Sequence, residues 1–436
     1  MKHLFSLLLA LSLLGTAQAQ TLYFPPLTGS TWDTTSPASL GMCQLQIDSL
    51  YFYLDTRNTK AYLLLKDGKI VLEKYFDGFT KDSAWYWASA GKTLTAFTIG
   101  LAQAEGKLSI YDSTSKYLKG GWTSCSPTAE AAIRIRNQLT MTTGLNDAVS
   151  NNKCTLPSCL QFLATPGSRW AYHNGPYTLL QNVLDSATGD FKSFFNTRLR
   201  NKIGMTGSWF VLNTYDHVYF STPRSAARFG LLMLGNGTWN GTPIMTDTTY
   251  FREMITTSQT INPSYGYLWW LNGKAMFMAP GLQPTFLGPL LPNAPSDAYS
   301  ALGSNGQIIS ISPSKGLVMV RMGQAPAPDE VSIGFTDTIW RKTMATFCTA
   351  TAVKAPAKNV NILRAYPQPA SEVLNLVKPD EVGEWQVELW DVTGRLMGGG
   401  RNILQLDISA LPRGIYQTRL ISDKGTWSCS VVIGPR

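Results

Sequence analysis

A serine followed three residues later by a lysine is a compact nucleophile and base, and the chain holds four such pairs: Ser89 with Lys92, Ser113 with Lys116, Ser150 with Lys153, and Ser312 with Lys315. On a helix that spacing puts both side chains on one face. The lysine can accept the hydroxyl proton only where burial or a neighbouring cation lowers its pKa toward neutrality. The pattern is therefore weak by itself, and context must separate the four. Ser113 lies in a polar stretch after a helical pattern, Ser150 in a polar loop before Cys154, and Ser312 at a proline-containing hairpin turn. Ser89 instead joins an aromatic lead-in (Trp85, Tyr86, Trp87) to the start of an apolar helical run. A serine there feels the positive end of the helix dipole, which favours its alkoxide and the oxyanion formed on attack.

A second constellation follows in the chain: Tyr172, His173, Asn174 is its only Tyr-x-Asn, set between Trp170 and a helical pattern starting near Pro176. A tyrosine there can relay a proton, and Asn174 can hydrogen-bond a substrate amide and Lys92. Other machinery finds less support. There is no Gly-x-Ser-x-Gly elbow, and a Ser-His-Asp triad would have to use His173 or His217. His173 reads as a packing or hydrogen-bonding residue, and His217 has no visible partner. Metal-ligand spacing is absent, so neither a metal nor another cofactor is expected.

The elements that must position these residues are legible in outline. A short basic start at Lys2, an apolar run from Leu4 to Leu14 and a small-residue site at Ala17–Ala19 form a secretory signal peptide over residues 1–19. That apolar core is shorter than the roughly 20 residues of a transmembrane helix, and no later stretch serves. Leu45–Asp55 reads as a helix, and Ala61–Lys66 and Lys69–Phe76 as a hairpin about Asp67-Gly68. A helix runs from about Ala90 to Glu105, with Gly106 placed to end it. A mixed helical region precedes strands at Tyr265–Leu271, Ala298–Gly303, Gln307–Ser312 and Leu317–Met322, and Phe335–Phe347 closes as a helix. The order implies an α+β layered domain whose sheet is assembled from both ends of the chain. Residues 349–360 have a linker composition. Beyond them, alternating segments at Val373–Val377, Trp385–Trp390 and Ile415–Ile421 make a small all-β C-terminal sandwich. The net charge of +9 is spread without a basic stripe, which argues against nucleic acid as a partner. Export permits disulfides among Cys43, Cys125, Cys154, Cys159, Cys348 and Cys429, and Cys154 with Cys159 could close a small loop.

With Ser89, Lys92, Tyr172 and Asn174 in that order, the chain resembles the serine β-lactamase-related family: class C β-lactamases, penicillin-binding proteins, D-stereospecific peptidases, β-lactamase-like esterases and 6-aminohexanoate-dimer hydrolases. Lys66–Val71, Leu139–Leu145, Arg228–Leu232, Trp239–Gly241 and Tyr265–Trp270 add to the likeness, which spans roughly residues 40 to 347. The resemblance implies an antiparallel sheet flanked by helices with a helical subdomain. It makes Ser89 the acylated nucleophile, Lys92 and Tyr172 its general base and acid, and Asn174 a supporting polar residue. It also sets the first and last helices side by side and antiparallel, which would bring Cys43 to Cys348.

The family's Lys-Thr-Gly triad is not intact. Its register is Ala301, Leu302, Gly303, with Ser304 next, or alternatively Ser304, Asn305, Gly306, with Gln307 next; the first fits better because Ala298–Gly303 reads as the strand. The resemblance then pairs the Ser304 and Ser89 backbone N–H groups as an oxyanion hole, each donor worth about 2.7 to 4 kcal/mol. Either register lacks the lysine that anchors a penicillin carboxylate, a charge-assisted contact of roughly 1.5 to 3 kcal/mol. Esters, linear amides or peptide-like small molecules are thus favoured over penicillins.

At the C-terminal end, Tyr366–Ser371, Val392–Arg395 and Leu411–Tyr416 resemble a type IX secretion sorting domain, although Gln368 stands where the opening motif has asparagine. The resemblance implies the type IX machinery as a partner and a secreted or cell-surface location reached through the periplasm. The expected layout is a signal peptide at 1–19, a hydrolase domain at 20–348, a linker at 349–360 and a sorting domain at 361–436. The expected activity is ester or amide hydrolysis; β-lactamase, D-alanyl-D-alanine carboxypeptidase or non-turnover binding are the alternatives.

Overall fold

The computed structural model describes residues 22–325, 331–348, 361–379 and 382–434. The expected signal peptide at 1–19 and linker at 349–360 lie outside the described residues. The chain forms two compact units, one built on Tyr53–Met344 with the segment ending at Ser39, the other on Leu40–Phe52 and the chain from Ala345 onward.

The first unit is organised by a six-stranded antiparallel sheet. Its strands are β1 (Thr59–Lys66), β2 (Lys69–Tyr75), β3 (Trp270–Leu271), β4 (Tyr299–Gly303), β5 (Gln307–Ser312) and β6 (Leu317–Gly323), in the order β2-β1-β6-β5-β4-β3. β1 and β2 meet at Asp67 (φ 50°) and Gly68 (φ 88°), the paired positive φ values of a type I′ hairpin turn. β5 and β6 are buried at every residue, so they lack the alternation of a half-exposed strand and read as continuous apolar runs. Helices cover the sheet. Gly230, on the helix Pro223–Leu234, faces Val318 and Ile309, while Trp340 and Thr343 of the closing helix Ile333–Thr346 reach Ser310 at 3.0 Å and Tyr62 at 2.7 Å.

The Tyr265–Leu271 strand is a correction. Only Trp270–Leu271 joins the sheet; before it the chain doubles back, with Gly266 N–H on Trp269 O (2.9 Å), Leu268 at φ 61° and Tyr265 bridged to Trp270. The aromatic run is buried on all sides, and such burial imitates a core strand in the sequence.

In the second unit, Val373–Val377, Trp385–Asp391 and Gly414–Ser422 are strands, joined by Leu396–Arg401, Gln405–Asp407 and Gly425–Ile433 among others in a five-stranded and a three-stranded sheet. Leu374, Val387, Leu389, Leu420, Trp427 and Val431 pack between them. Leu396–Arg401 escapes pattern reading because Gly398–Gly400 resembles a loop. Cys43 and Cys348 are disulfide-bonded with Cα atoms 5.9 Å apart, as are Cys154 and Cys159, also at 5.9 Å. The chain on either side is already paired: Cys43 N–H donates to Thr346 O at 2.9 Å, and Met42 bridges Phe347. Among the described residues no helix is long and apolar enough to cross a membrane.

The Cys43–Cys348 link closes a loop of 305 residues. Replacing both cysteines by serine is expected to cost about 4 to 5 kcal/mol of stability, measured by denaturant unfolding. A thiol count showing both reduced in the exported protein would contradict the pairing.

Candidate active site

Ser89 is held from both sides of its own chain. Upstream, Trp85–Tyr86 pairs with Phe220 and Ser221 at the end of the hairpin Ser208–Leu212/Asp216–Ser221. Trp87 continues the contact, its N–H on Tyr219 O and its indole Nε1 on Ser221 Oγ, both at 2.8 Å. Downstream comes a buried helix, Lys92–Ala104. Ser89 precedes that helix, as the sequence suggested, in a tight 3-10 turn, Ala88–Gly91, that runs into it; the helix itself starts at Lys92 and not at about Ala90. Ala88 has φ 46°, a strained conformation for a residue with a Cβ, directly before the serine.

Lys92 Nζ donates to Ser89 Oγ at 2.6 Å. The lysine is 2% exposed, and its ammonium lies 4.8 Å from the Tyr172 ring centre and 4.1 Å from that of Tyr177. Tyr172 in turn stacks on Trp270 at 5.7 Å and meets Tyr265 edge-on, which ties it to β3. Asn174 opens the helix Asn174–Thr188 and donates from Nδ2 to Asn152 Oδ1 at 3.1 Å. Tyr177, one turn along that helix, is buried beside the cavity, and that burial pushes its phenol well above the usual range.

Gly303 ends β4 against the 3-10 turn. A Cβ there would run into Trp87 O and lie 2.9 Å from Ala90 N and 3.1 Å from Ser89 N. The Ala301–Gly303 register thus falls on the strand beside the serine, whereas Ser304, Asn305 and Gly306 form the β4–β5 turn. That turn is pinned from beneath by Arg321, which is fully buried. Arg321 donates from Nη1 to Asn305 O (2.9 Å) and Gly306 O (3.0 Å), from Nη2 to Arg57 O and Gln324 O (both 2.8 Å), and from Nε to Thr59 Oγ1 (3.1 Å). Desolvation pulls its guanidinium down to about 9. From above, Asn305 Nδ2 donates to Tyr86 Oη at 2.9 Å, returning the turn to the aromatic lead-in.

The six residues expected from the sequence therefore surround one place. Ser89, Lys92, Asn174 and Ser304 line a cavity of about 610 Å³, Tyr172 backs Lys92, and Gly303 backs Ser89. The cavity is also lined by residues the sequence did not single out for the site: Asn152, Lys153, Asp216 and His217. Lys153 belongs to one of the four Ser-x-x-Lys matches, but its Ser150 is exposed and its ammonium pairs with Asp216 at 2.9 Å. Arg321 did leave a signal, a lone cation in the apolar run Leu317–Met322.

Of the two histidines, His217 differs from expectation and His173 does not. His217 has a partner, Gln181 Oε1, 2.7 Å from its Nδ1. His173 is 2% exposed, and neither ring nitrogen has a hydrogen-bond partner, so it packs without bonding. Burial, opposed by Asp147 and aided by Arg169, lowers its pKa to about 4.

Residues 55–334 match the beta-lactamase family, and residues 364–434 match the secretion system C-terminal sorting domain. Solved structures agree on the fold. A "putative 6-aminohexanoate-dimer hydrolase" from Bacillus anthracis is 19% identical, with a TM-score of 0.55 over 73% of this chain and 87% of the other. The octameric penicillin-binding protein homologue of Pyrococcus abyssi is 13% identical, with a TM-score of 0.51 over 89% and 96%. A penicillin-binding protein homologue of Caulobacter crescentus is 11% identical, with a TM-score of 0.52 over 73% and 100%. No curated protein sequence matches the chain.

Two outcomes follow from this geometry. Gly303→Ala is expected to cost about 1 to 3 kcal/mol of stability through overpacking and to slow reaction of Ser89 with a fluorophosphonate by about a hundredfold; unchanged melting and labelling would mean the strand end has room for a methyl group. For His173, the stability of the neutral ring is complete above its ordinary pKa of 6.5 and lost as pH falls toward about 4, because the unfolded chain takes the proton first. The loss should approach about 3 kcal/mol. Urea unfolding at neutral pH and near pH 4 should show a smaller drop in His173→Gln than in the wild type, and equal drops would exclude this role.

Proposed function

The chain belongs to the beta-lactamase family, whose fold carries serine hydrolases, and on that premise we propose that it cleaves an ester or amide bond through an acyl-enzyme on Ser89. The observation that supports this most is the 2.6 Å contact between Lys92 Nζ and Ser89 Oγ inside a wall that also holds Ser304 and Asn174. In the proposed reaction Lys92, in its neutral form, takes the hydroxyl proton as Ser89 Oγ bonds to the substrate carbonyl carbon. The Ser89 and Ser304 N–H groups receive the oxyanion. Tyr172 hands a proton to the departing oxygen or nitrogen as that bond breaks. Water then attacks the acyl-enzyme, its proton passing to the same pair, and the Ser89 hydroxyl is restored.

The substrate reading rests on charge. The strand position that holds a lysine in penicillin-recognising relatives is Ala301 here. Of the two lysines lining the cavity among the described residues, Lys92 is engaged with Ser89 and Lys153 with Asp216. A substrate carboxylate would have to break one of those contacts, so neutral esters and linear amides are the preferred class. The sorting domain directs the protein through type IX secretion to the cell surface or beyond. The layout we propose is a leader at 1–19 removed on passage through the periplasm, the hydrolase at 20–348, a linker at 349–360 and the sorting domain at 361–436.

A fluorophosphonate should label Ser89, read by peptide mass spectrometry, and Ser89→Ala should abolish the adduct. Tyr172→Phe should lower kcat/KM by about 10²- to 10⁴-fold. Short p-nitrophenyl esters and linear amides should turn over faster than a chromogenic cephalosporin. Absence of the adduct would remove the hydrolase reading, and fast cephalosporin turnover with inert esters would reverse the substrate preference.

A further inference from the structure

His217 sits on the strand Asp216–Ser221, in the wall shared by the site cavity and a smaller one of about 250 Å³. Its protonation pattern can be read from its neighbours. Gln181 Nε2 donates to Thr95 Oγ1 at 3.3 Å, which turns Gln181 Oε1 toward His217 Nδ1 at 2.7 Å. An amide oxygen only accepts, so Nδ1 carries the proton and Nε2 of the neutral ring keeps a lone pair. Burial first, then Lys192, holds the imidazole below its ordinary pKa, against Asp185 and Asp216, and the ring is neutral at pH 7. His217 is thus a fixed acceptor with no donor to offer at Nε2. Its neighbours in the hairpin cannot play that part: Asp216 is occupied by Lys153, while Leu212 and Val218 are apolar.

We propose that His217 Nε2 is a specificity-determining acceptor that binds an amide N–H on the acyl part of the substrate, so that the site selects N-acylated or peptide-like acyl donors over simple aliphatic ones. The inference rests on the hydrolase reading of Ser89 and narrows its substrate class. A site that offers a fixed lone pair favours a ligand bearing N–H and rejects one that presents a methyl group or an ester oxygen there. Gln181 is the positioning residue: without its oxygen the ring has no fixed tautomer.

The test uses the full exported chain and p-nitrophenyl N-acetylaminoalkanoates of increasing chain length, each paired with its N-methyl counterpart. Leaving group and carbonyl are then constant, and the pair differs in the N–H and the methyl that replaces it, which His217→Ala tells apart. At one chain length the N–H ester should have the higher kcat/KM by roughly three- to tenfold, the range of one hydrogen bond. His217→Ala should bring that ratio close to one. His217→Gln, which can present an amide oxygen, should restore part of it. Gln181→Leu should shrink the ratio while leaving His217 in place. A ratio near one at every length in the wild type, or a ratio unchanged in His217→Ala, overturns the inference while Ser89 is still acylated. Failure of every ester to acylate Ser89 overturns the hydrolase reading and takes this inference with it.

Discussion

The site depends on the close approach of two backbones, the Ala88–Gly91 turn and the end of β4. Position 303 has no side chain, and the space a Cβ would need is taken by Trp87 O, Ala90 N and Ser89 N. Nothing else could stand there without parting the serine from the strand. The contact also supports the first of the two registers proposed for the missing Lys-Thr-Gly. Ala301–Gly303 runs in the sheet and delivers Ser304 to the cavity, while the second register is a turn.

A turn at the end of two strands is a poor platform for a backbone donor unless something holds it. Arg321 does so at high cost, since a buried guanidinium loses its hydration. Its compensation comes from four backbone carbonyls and one hydroxyl, which use every donor the group has. A carboxylate could satisfy the charge, but it would bind at one place. Carbonyls from Asn305, Gly306, Arg57 and Gln324 let one side chain tie the turn to the approach to β1 and the exit of β6. The same cation lies 4.9 Å from the Phe335 ring, so the closing helix is drawn into the arrangement.

Much of this was legible because local rules and the global fold agree. Asp67-Gly68 announces its hairpin, the apolar runs of β5 and β6 announce core strands, and the aromatic lead-in to Ser89 sets it apart from the three other Ser-x-x-Lys matches. What stayed hidden was assembled by tertiary contact. Lys153 and Asp216 are 63 residues apart and meet only when a loop and a hairpin converge. His217 acquires its role from Gln181, 36 residues earlier, and no spacing in the sequence encodes that. The doubling back at Tyr265–Trp269 was misread for a different reason: residues buried on every side carry no period by which a strand and a compact loop can be told apart.

A second close approach at a glycine holds the loop that carries Asn152 and Lys153. Gly175 N–H donates to Asn152 O at 2.7 Å, and a Cβ on Gly175 would collide with Cys154 O, so the loop carrying Asn152 and Lys153 lies directly on the helix that begins at Asn174. The Lys153–Asp216 pair adds little to this, since its lysine is half exposed and such pairs contribute about 0 to 1 kcal/mol. The Cys154–Cys159 bond closes the loop just beyond. At Gly303 and at Gly175, backbone therefore meets backbone beside the cavity. Side chains that line the cavity, such as Lys153, Leu212 and His217, can then differ without moving Ser89, Lys92 or Ser304. In the proposed reaction, substrate choice and bond cleavage are thus assigned to separate layers of one site.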